Sequence, residues 1–290
     1  MRNPVPRVAA IHALAGFGRA SLTAVIPVLS TMGCQVCPFP TAVLSTHGGF
    51  QGYRKIDVTE SMEPFMKHWR ELQVSFEAVY TGFIGSPGQI GKVEEFLRLF
   101  SEPKQYIVVD PVLGDDGKVY GIVSPEMVSG MKRLIRHANI ITPNFSEAAF
   151  LLEREYTESI EIDEMKEWML GLSAMGPEMV IITSVPLEGH KDTTAVLAYN
   201  SRDGRFWRVN CSYVPAYYPG TGDIFTSVIV GSILQGDSLP IALDRAVQFV
   251  SIAIRASFGY SFSKKEGVLL ERVLHNLRAP VTVSTYEIVS

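Results

Sequence analysis

Two rhythms of apolar and polar positions alternate along this chain: short, nearly unbroken apolar blocks, and longer stretches in which apolar residues return with helical spacing. Arg7–Ile11, Cys34–Phe39, Ala78–Tyr80, Tyr106–Asp110, Asn139–Thr142 and Met179–Thr183 are the short blocks, and they read as strands. Between them, Ser21–Thr31 and Thr59–Gln73 are predicted helices, the second with Met62, Phe65, Met66, Trp69 and Leu72 on its apolar stripe. Pro87 opens a further helix that sets Ile90, Val93, Phe96 and Leu97 on one face. Strand–helix alternation of this kind predicts a mostly parallel sheet covered by helices on both faces. Thr194–Tyr199 and Arg205–Cys211 read as an antiparallel hairpin around Arg202-Asp203-Gly204, and helices over Thr221–Gln235 and Pro240–Ser257 close the core. With no linker, repeat or low-complexity tract in sight, residues 1–290 are expected to form a single domain.

Composition narrows the class. Hydrophobic residues make up 47% and charged residues 19% of 290, as in an ordinary globular protein, and the net charge of −4 argues against nucleic acid as a partner. Apolar runs stay short of the roughly 18 residues a membrane span needs, and the stretch from Met1 to Pro6 has no signal-peptide core. A cytoplasmic protein with no membrane partner is expected. Cys34 and Cys37 have redox or metal spacing, but no second pair accompanies them. On a strand, residues three apart face opposite ways, so buried structural thiols are expected. His12, His68, His137, His190 and His275 offer no metal spacing among themselves.

Chemistry concentrates where the apolar blocks end. Gly220-Thr221-Gly222-Asp223 runs directly into an apolar helix. Glycines allow close backbone approach, the helix start supplies unpaired N–H groups for an anion, and a carboxylate in the same turn can take a proton from an attacking hydroxyl. Tyr106–Asp110 ends in a carboxylate, while the blocks ending at Thr142 and Thr183 end in hydroxyls, so polar groups converge on one sheet edge. Asp110, Asp115 and Asp116 read either as handlers of a hard cation with phosphate or, for Asp115-Asp116-Gly117, as a solvated turn. Asn144 and Glu147 have the spacing of a capping box, with a second reading as ligands to hydrated Mg²⁺. His47, in Ser45-Thr46-His47-Gly48-Gly49, is a candidate to lie over a substrate. Neither a P-loop nor a protein-kinase signature is present.

These segments, in this order, make the chain similar to the pyridoxal kinase family of the ribokinase-like superfamily. The resemblance rests on Ile11–Gly18, Thr41–His47, Thr81–Ser86, Asp110-Pro111-Val112-Leu113-Gly114-Asp115, Ile141–Glu147, Val180–Ser184 and Gly220–Asp223. It implies a three-layer α/β/α sandwich and transfer of a phosphoryl group from ATP to the 5′-hydroxyl of a vitamin B6 vitamer. By resemblance, Asp223 is the base and Gly220, Thr221 and Gly222 form the anion hole. Asp110, Asp115, Tyr120, Thr142, Thr183 and Ser184 lie near the ATP phosphates, and Asn144, Glu147 and Asp110 organise Mg²⁺. Ala13, Thr41, His47, Gly48, Phe83 and Asp223 line the vitamer pocket. A monovalent cation (K⁺ or Na⁺) and a homodimer are implied as well.

Three positions depart from the family pattern. Ala13, Gly48 and Phe83 stand where the family usually carries serine, threonine and tyrosine, so three hydroxyls are missing from the expected vitamer pocket. Two other readings stay open at this point. One is a kinase of a related ring alcohol such as hydroxymethylpyrimidine, whose members typically carry a cysteine before the glycine turn, where Tyr217-Tyr218-Pro219 stands here. The other is a non-catalytic B6-binding protein.

Overall fold

The structure, a computed structural model, describes residues 4–189, 193–212, 216–279 and 285–289. Met1–Asn3 and His190 lie outside those residues. In chain order the elements are β1 (Arg7–Ala15), α1 (Leu22–Thr31), β2 (Gln35–Leu44), β3 (Lys55–Asp57), α2 (Thr59–Glu71), β4 (Ala78–Thr81), α3 (Pro87–Leu99) and β5 (Tyr106–Val109). They continue with β6 (Gly114–Asp115), β7 (Lys118–Val119), α4 (Pro125–Leu134), β8 (Ile140–Ile141), α5 (Phe145–Leu152), α6 (Ile162–Ser173) and β9 (Met179–Val185). The last are β10 (Thr193–Asn200), β11 (Arg205–Ser212), α7 (Thr221–Leu234), α8 (Leu239–Phe258) and β12 (Tyr286–Val289).

A ten-stranded sheet in the order β12-β11-β10-β9-β8-β5-β4-β1-β2-β3 forms the middle layer. Its centre, from β9 to β2, is parallel, while β3 at one edge and β10 to β12 at the other run antiparallel. Successive residues of β1 point to opposite faces. Val8 and Ala10 join a core built with α1, α7 and α8; Ala9 and Ile11 join a second core built with α2 to α6. The three-layer sandwich expected from the pattern is therefore present, and the central strands β1 and β4 are almost wholly buried because helices cover both their sides.

The cysteines follow the same rule. Cys34 packs into the first core and Cys37 against the second, and all three cysteines are free. Burial pushes the Cys34 thiol up to about 11, so it stays protonated and inert.

Several expectations need adjusting. On α2, Met62 and Met66 are buried but Phe65 is 47% exposed, because the helix touches the core along a narrower stripe than its apolar residues span, and Leu72, expected on the same stripe, falls just past the helix end at 60% exposure. Strand β1 runs on to Ala15 and β2 to Leu44, both beyond their expected ends. Asp115 and Asp116, inseparable in the sequence, part company. Asp116 and Gly117 both have positive φ and make the turn of the β6–β7 hairpin, where Asp116 is exposed, while Asp115 is half-buried beside the site.

Candidate active site

The carboxyl ends of the central parallel strands face the start of α7 across a cleft of about 450 Å³. Its walls bring together Asp110, Asp115, Tyr120, Thr142, Asn144, Glu147, Thr183, Ser184, His47, Gly48, Phe83, Gly220, Thr221, Gly222 and Asp223. Of the expected residues, Ala13 and Thr41 stand behind the wall. Ala13 is buried with Ala42 and Leu44 in a small apolar cluster against which Phe83 and Tyr53 pack. Thr41 is spent on a 2.8 Å hydrogen bond from its hydroxyl to the Phe83 carbonyl.

Helix α7 begins abruptly, and Gly220 is the reason. Its φ of 86° is a left-handed conformation, and a Cβ there would lie 2.1 Å from the Arg19 carbonyl oxygen. Only glycine permits that turn. The first intrahelical bond runs from Ile224 N–H to the Gly220 carbonyl at 3.0 Å, leaving the N–H groups of the preceding turn without helical acceptors. The Thr221 hydroxyl turns back to donate to the Tyr218 carbonyl at 3.1 Å, so the anion-binding capacity here is backbone N–H and helix dipole.

Asp223 sits in that first turn. Its Oδ2 accepts the backbone N–H of Ser21 at 2.8 Å, and its Oδ1 lies 3.6 Å from Nδ1 of His12. Ser21 holds φ 53° and ψ −134°, a costly conformation for a non-glycine residue, and that conformation aims its N–H at the carboxylate. Neither Ser21 nor His12 was marked by the sequence pattern. His12 had one signal: an imidazole in the middle of a strand whose neighbours are all apolar must find a polar partner inside the protein.

Glu147 and Asp223 both crowd Asp110. Asp110 is 6% exposed and its carboxyl is held well above the ordinary range, first by burial and then by the nearby Glu147 and Asp223 carboxylates. Glu147 is pushed up to about 8, chiefly by burial. Among the described residues lining the cleft none is lysine or arginine. The wall is thus rich in carboxylates without a protein cation to balance them, and a cation arriving with a nucleotide would relieve the repulsion.

Asn144 and Glu147 form the capping box expected of them: Asn144 Oδ1 accepts Glu147 N–H at 2.9 Å, and Glu147 Oε2 accepts Asn144 N–H at 2.8 Å. Glu147 Oε1 also accepts Leu113 N–H at 3.0 Å, and Asn144 donates to the Gly114 carbonyl at 2.8 Å, so the cap ties α5 to the β5–β6 loop. No group of three or more His, Cys, Asp or Glu side chains is spaced to grip an ion directly among the described residues. The arrangement fits a hydrated cation held through water and phosphate, with spare carboxylate lone pairs accepting from that water.

The remaining wall is aromatic and hydroxylic. His47 Nε2 donates to the Lys265 carbonyl at 2.6 Å while its Nδ1 accepts Gly49 N–H at 3.1 Å. With both nitrogens engaged, the ring can offer a surface to a planar ligand but no proton. Thr142 accepts a 2.8 Å hydrogen bond from Thr226, and Ser184 adopts a positive φ of 58° where the cleft meets β9. Burial raises the Asp115 carboxyl and the Tyr120 phenol above their usual ranges, so Tyr120 stays a neutral hydrogen-bonding group.

Comparison with known proteins agrees with this architecture. The phosphomethylpyrimidine kinase family model matches residues 16–268. A Bacteroides thetaiotaomicron protein provisionally described as a phosphomethylpyrimidine kinase is 51% identical, covering 100% of this chain and 99% of its own, with a TM-score of 0.97. A second crystal form of it, 51% identical over 98% of this chain and 100% of its own with a TM-score of 0.96, contains pyridoxal. Pyridoxal kinase from Arabidopsis thaliana is 27% identical over 81% of this chain and 75% of its own length. The crystal structure of pyridoxal kinase from Lactobacillus plantarum is 27% identical, covers 95% and 97% of the two chains, and superposes with a TM-score of 0.85. The three-layer sandwich is therefore the ribokinase-like fold these kinases share.

Proposed function

The chain belongs to the phosphomethylpyrimidine kinase family, and within that family we propose that it transfers the γ-phosphoryl group of ATP to the 5′-hydroxymethyl group of a vitamin B6 vitamer. The observation that carries this reading is the meeting of Asp223 with the open N-terminus of α7 in one cleft, behind a turn that only Gly220 can make. The vitamer's hydroxyl gives its proton to the Asp223 carboxylate as its oxygen bonds to the γ-phosphorus. The bond to the β–γ bridging oxygen breaks, and ADP leaves. Charge that develops on the migrating group is met by the backbone N–H groups of Gly220, Thr221 and Gly222.

Asp110, Asn144 and Glu147 are the side chains that would hold a hydrated Mg²⁺, and Asp110 with the Thr142 and Thr183 hydroxyls offers oxygen donors to a monovalent cation. When bound, Mg²⁺ supplies neutralisation of the nucleotide's phosphate charge. Asp115, Tyr120 and Ser184 complete the phosphate side, and His47, Gly48 and Phe83 form the ring side. Residues 1–290 act as one catalytic domain, cytoplasmic and homodimeric in this reading; light scattering tests the dimer. No helix among the described residues is long and apolar enough to cross a membrane.

The family's name raises a pyrimidine alcohol as a second acceptor. Pyridoxal in the crystals of the 51% identical relative favours the B6 reading, as does Tyr217-Tyr218-Pro219 where a cysteine would precede the glycine turn. A coupled ADP-release assay with pyridoxal, pyridoxamine, pyridoxine and hydroxymethylpyrimidine decides between them. Turnover with at least one vitamer, at a kcat/KM above that for the pyrimidine, is expected. No turnover with any vitamer, or a preference for the pyrimidine, overturns the assignment.

A further inference from the structure

His12 is fully buried, and neither of its ring nitrogens has a hydrogen-bond partner. Buried imidazoles left in that condition are rare, because an unpaired polar group inside a protein lowers stability. What lies beside the ring explains its place. Nδ1 is 3.6 Å from Oδ1 of Asp223, the oxygen opposite the one held by the Ser21 N–H. The ring meets Tyr80 edge to face at 4.3 Å with an interplanar angle of 79°, which orients it without using either nitrogen. A break in the β1–β2 register falls between His12 and Leu14, a strand irregularity of the kind that re-aims side chains near active sites. Gly82 stands against the Nδ1 edge itself: a Cβ there would come within 2.3 Å of Nδ1 and 2.4 Å of Cε1. Strand, bulge, aromatic neighbour and missing Cβ all direct the same edge of the imidazole at the same carboxylate oxygen.

We propose that His12 is a positioning residue for Asp223, its Nδ1–H directed at Oδ1 so that, with Ser21 N–H on Oδ2, the carboxylate plane is fixed from both sides. This rests on the reading of Asp223 as the base. The 3.6 Å separation exceeds a formed hydrogen bond, and such contacts tighten as substrate fills a catalytic site. With the carboxylate's rotation blocked, its remaining lone pairs point into the cleft at the alcohol. Packing against Tyr80 would be satisfied by any ring or branched side chain; orienting the carboxylate needs a donor at the Nδ1 position.

Asparagine and glutamine separate these roles, because the Asn amide nitrogen overlays Nδ1 of histidine and the Gln amide nitrogen overlays Nε2. His12→Asn should keep kcat within about threefold of wild type, whereas His12→Gln and His12→Leu should lower it by about tenfold to a hundredfold with KM for ATP and vitamer little changed. Equal kcat in all three variants, or a loss confined to KM, overturns the proposal. A second readout needs no turnover. Side-chain ¹⁵N NMR should show His12 as the Nδ1–H tautomer, with its Nδ1 resonance moving when Asp223→Asn is introduced. An Nε2–H tautomer, or a resonance indifferent to Asp223→Asn, overturns the proposal even if His12→Leu is unstable. If the wild-type chain phosphorylates no vitamer, the functional assignment fails, and the tautomer still decides whether His12 and Asp223 are coupled.

Discussion

Replacing Gly82 with alanine adds one methyl group at the point where the ring of His12 comes closest to the chain. The new Cβ would sit 2.3 Å from Nδ1 and 2.4 Å from Cε1, where unstrained contacts need roughly 3.5 Å, so something must retreat by about 1 Å. The imidazole has little room to do so, being fully buried with Tyr80 packed at 4.3 Å. Overpacking of this kind costs about 1–3 kcal/mol, which lowers the melting temperature of a chain this size by roughly 2–5 °C. The displaced edge is the one that faces Asp223, so kcat should fall by about tenfold to a hundredfold as well. Denaturation by urea, followed by tryptophan fluorescence, and steady-state ADP release measure the two effects. In a His12→Ala background the clash has no partner. There the Gly82→Ala change should cost little further stability, while kcat stays low because the donor is gone. The two changes should therefore couple by about 1–2 kcal/mol in a double-mutant cycle. An unchanged single variant, or the same loss in both backgrounds, would refute the steric argument and weaken the role given to His12.

Two further outcomes follow from the same site. Gly220→Ala places a Cβ 2.1 Å from the Arg19 carbonyl oxygen at a φ of 86°, so the α7 turn must open; kcat should fall about a hundredfold or more, and wild-type turnover would contradict the anion-hole reading. Glu147 is held up at about 8 by burial, so the folded chain keeps a proton that the unfolded chain releases in the ordinary carboxylate range. Stability of the ligand-free protein, measured with chelator present, should thus fall as pH rises from that range toward about 8, and Glu147→Gln should flatten the slope while preserving the cap. A slope that is unchanged in the variant would count against this origin.

The sheet and its polar edge were legible because each depends on local pattern. Tyr106–Val109 could be read from its unbroken apolar run, α3 from Pro87 and its apolar spacing, and the capping box from Asn144 and Glu147. What the pattern missed is non-local or weakly patterned. Strands β3 and β12 are short edges with little burial to mark them, and Ile56 and Ile288 on them are each 65% exposed. Helices α4 and α6 are the exceptions: Met127, Gly130, Met131 and Leu134, and Met165, Trp168, Met169 and Leu172, are buried at full i, i+3, i+4, i+7 spacing, so both were legible in the sequence yet stand outside its expected elements. Ser21 and Asp223 are 202 residues apart, so no spacing rule could pair them. Ala13 and Thr41 were expected at the pocket surface, and folding sets them one layer behind Phe83. The missing hydroxyl at Ala13 therefore bears on the packing beneath Phe83.

The central claim is that Asp223 takes the proton of the vitamer's hydroxyl. Asp223→Asn keeps the size of the side chain and an oxygen to accept the Ser21 N–H, so the site should keep its shape. Single-turnover ADP formation with saturating ATP and vitamer, with ATP binding measured alongside, tests the claim most directly. The rate should drop by about 10²- to 10⁴-fold with ATP affinity unchanged; near-wild-type turnover would contradict the account.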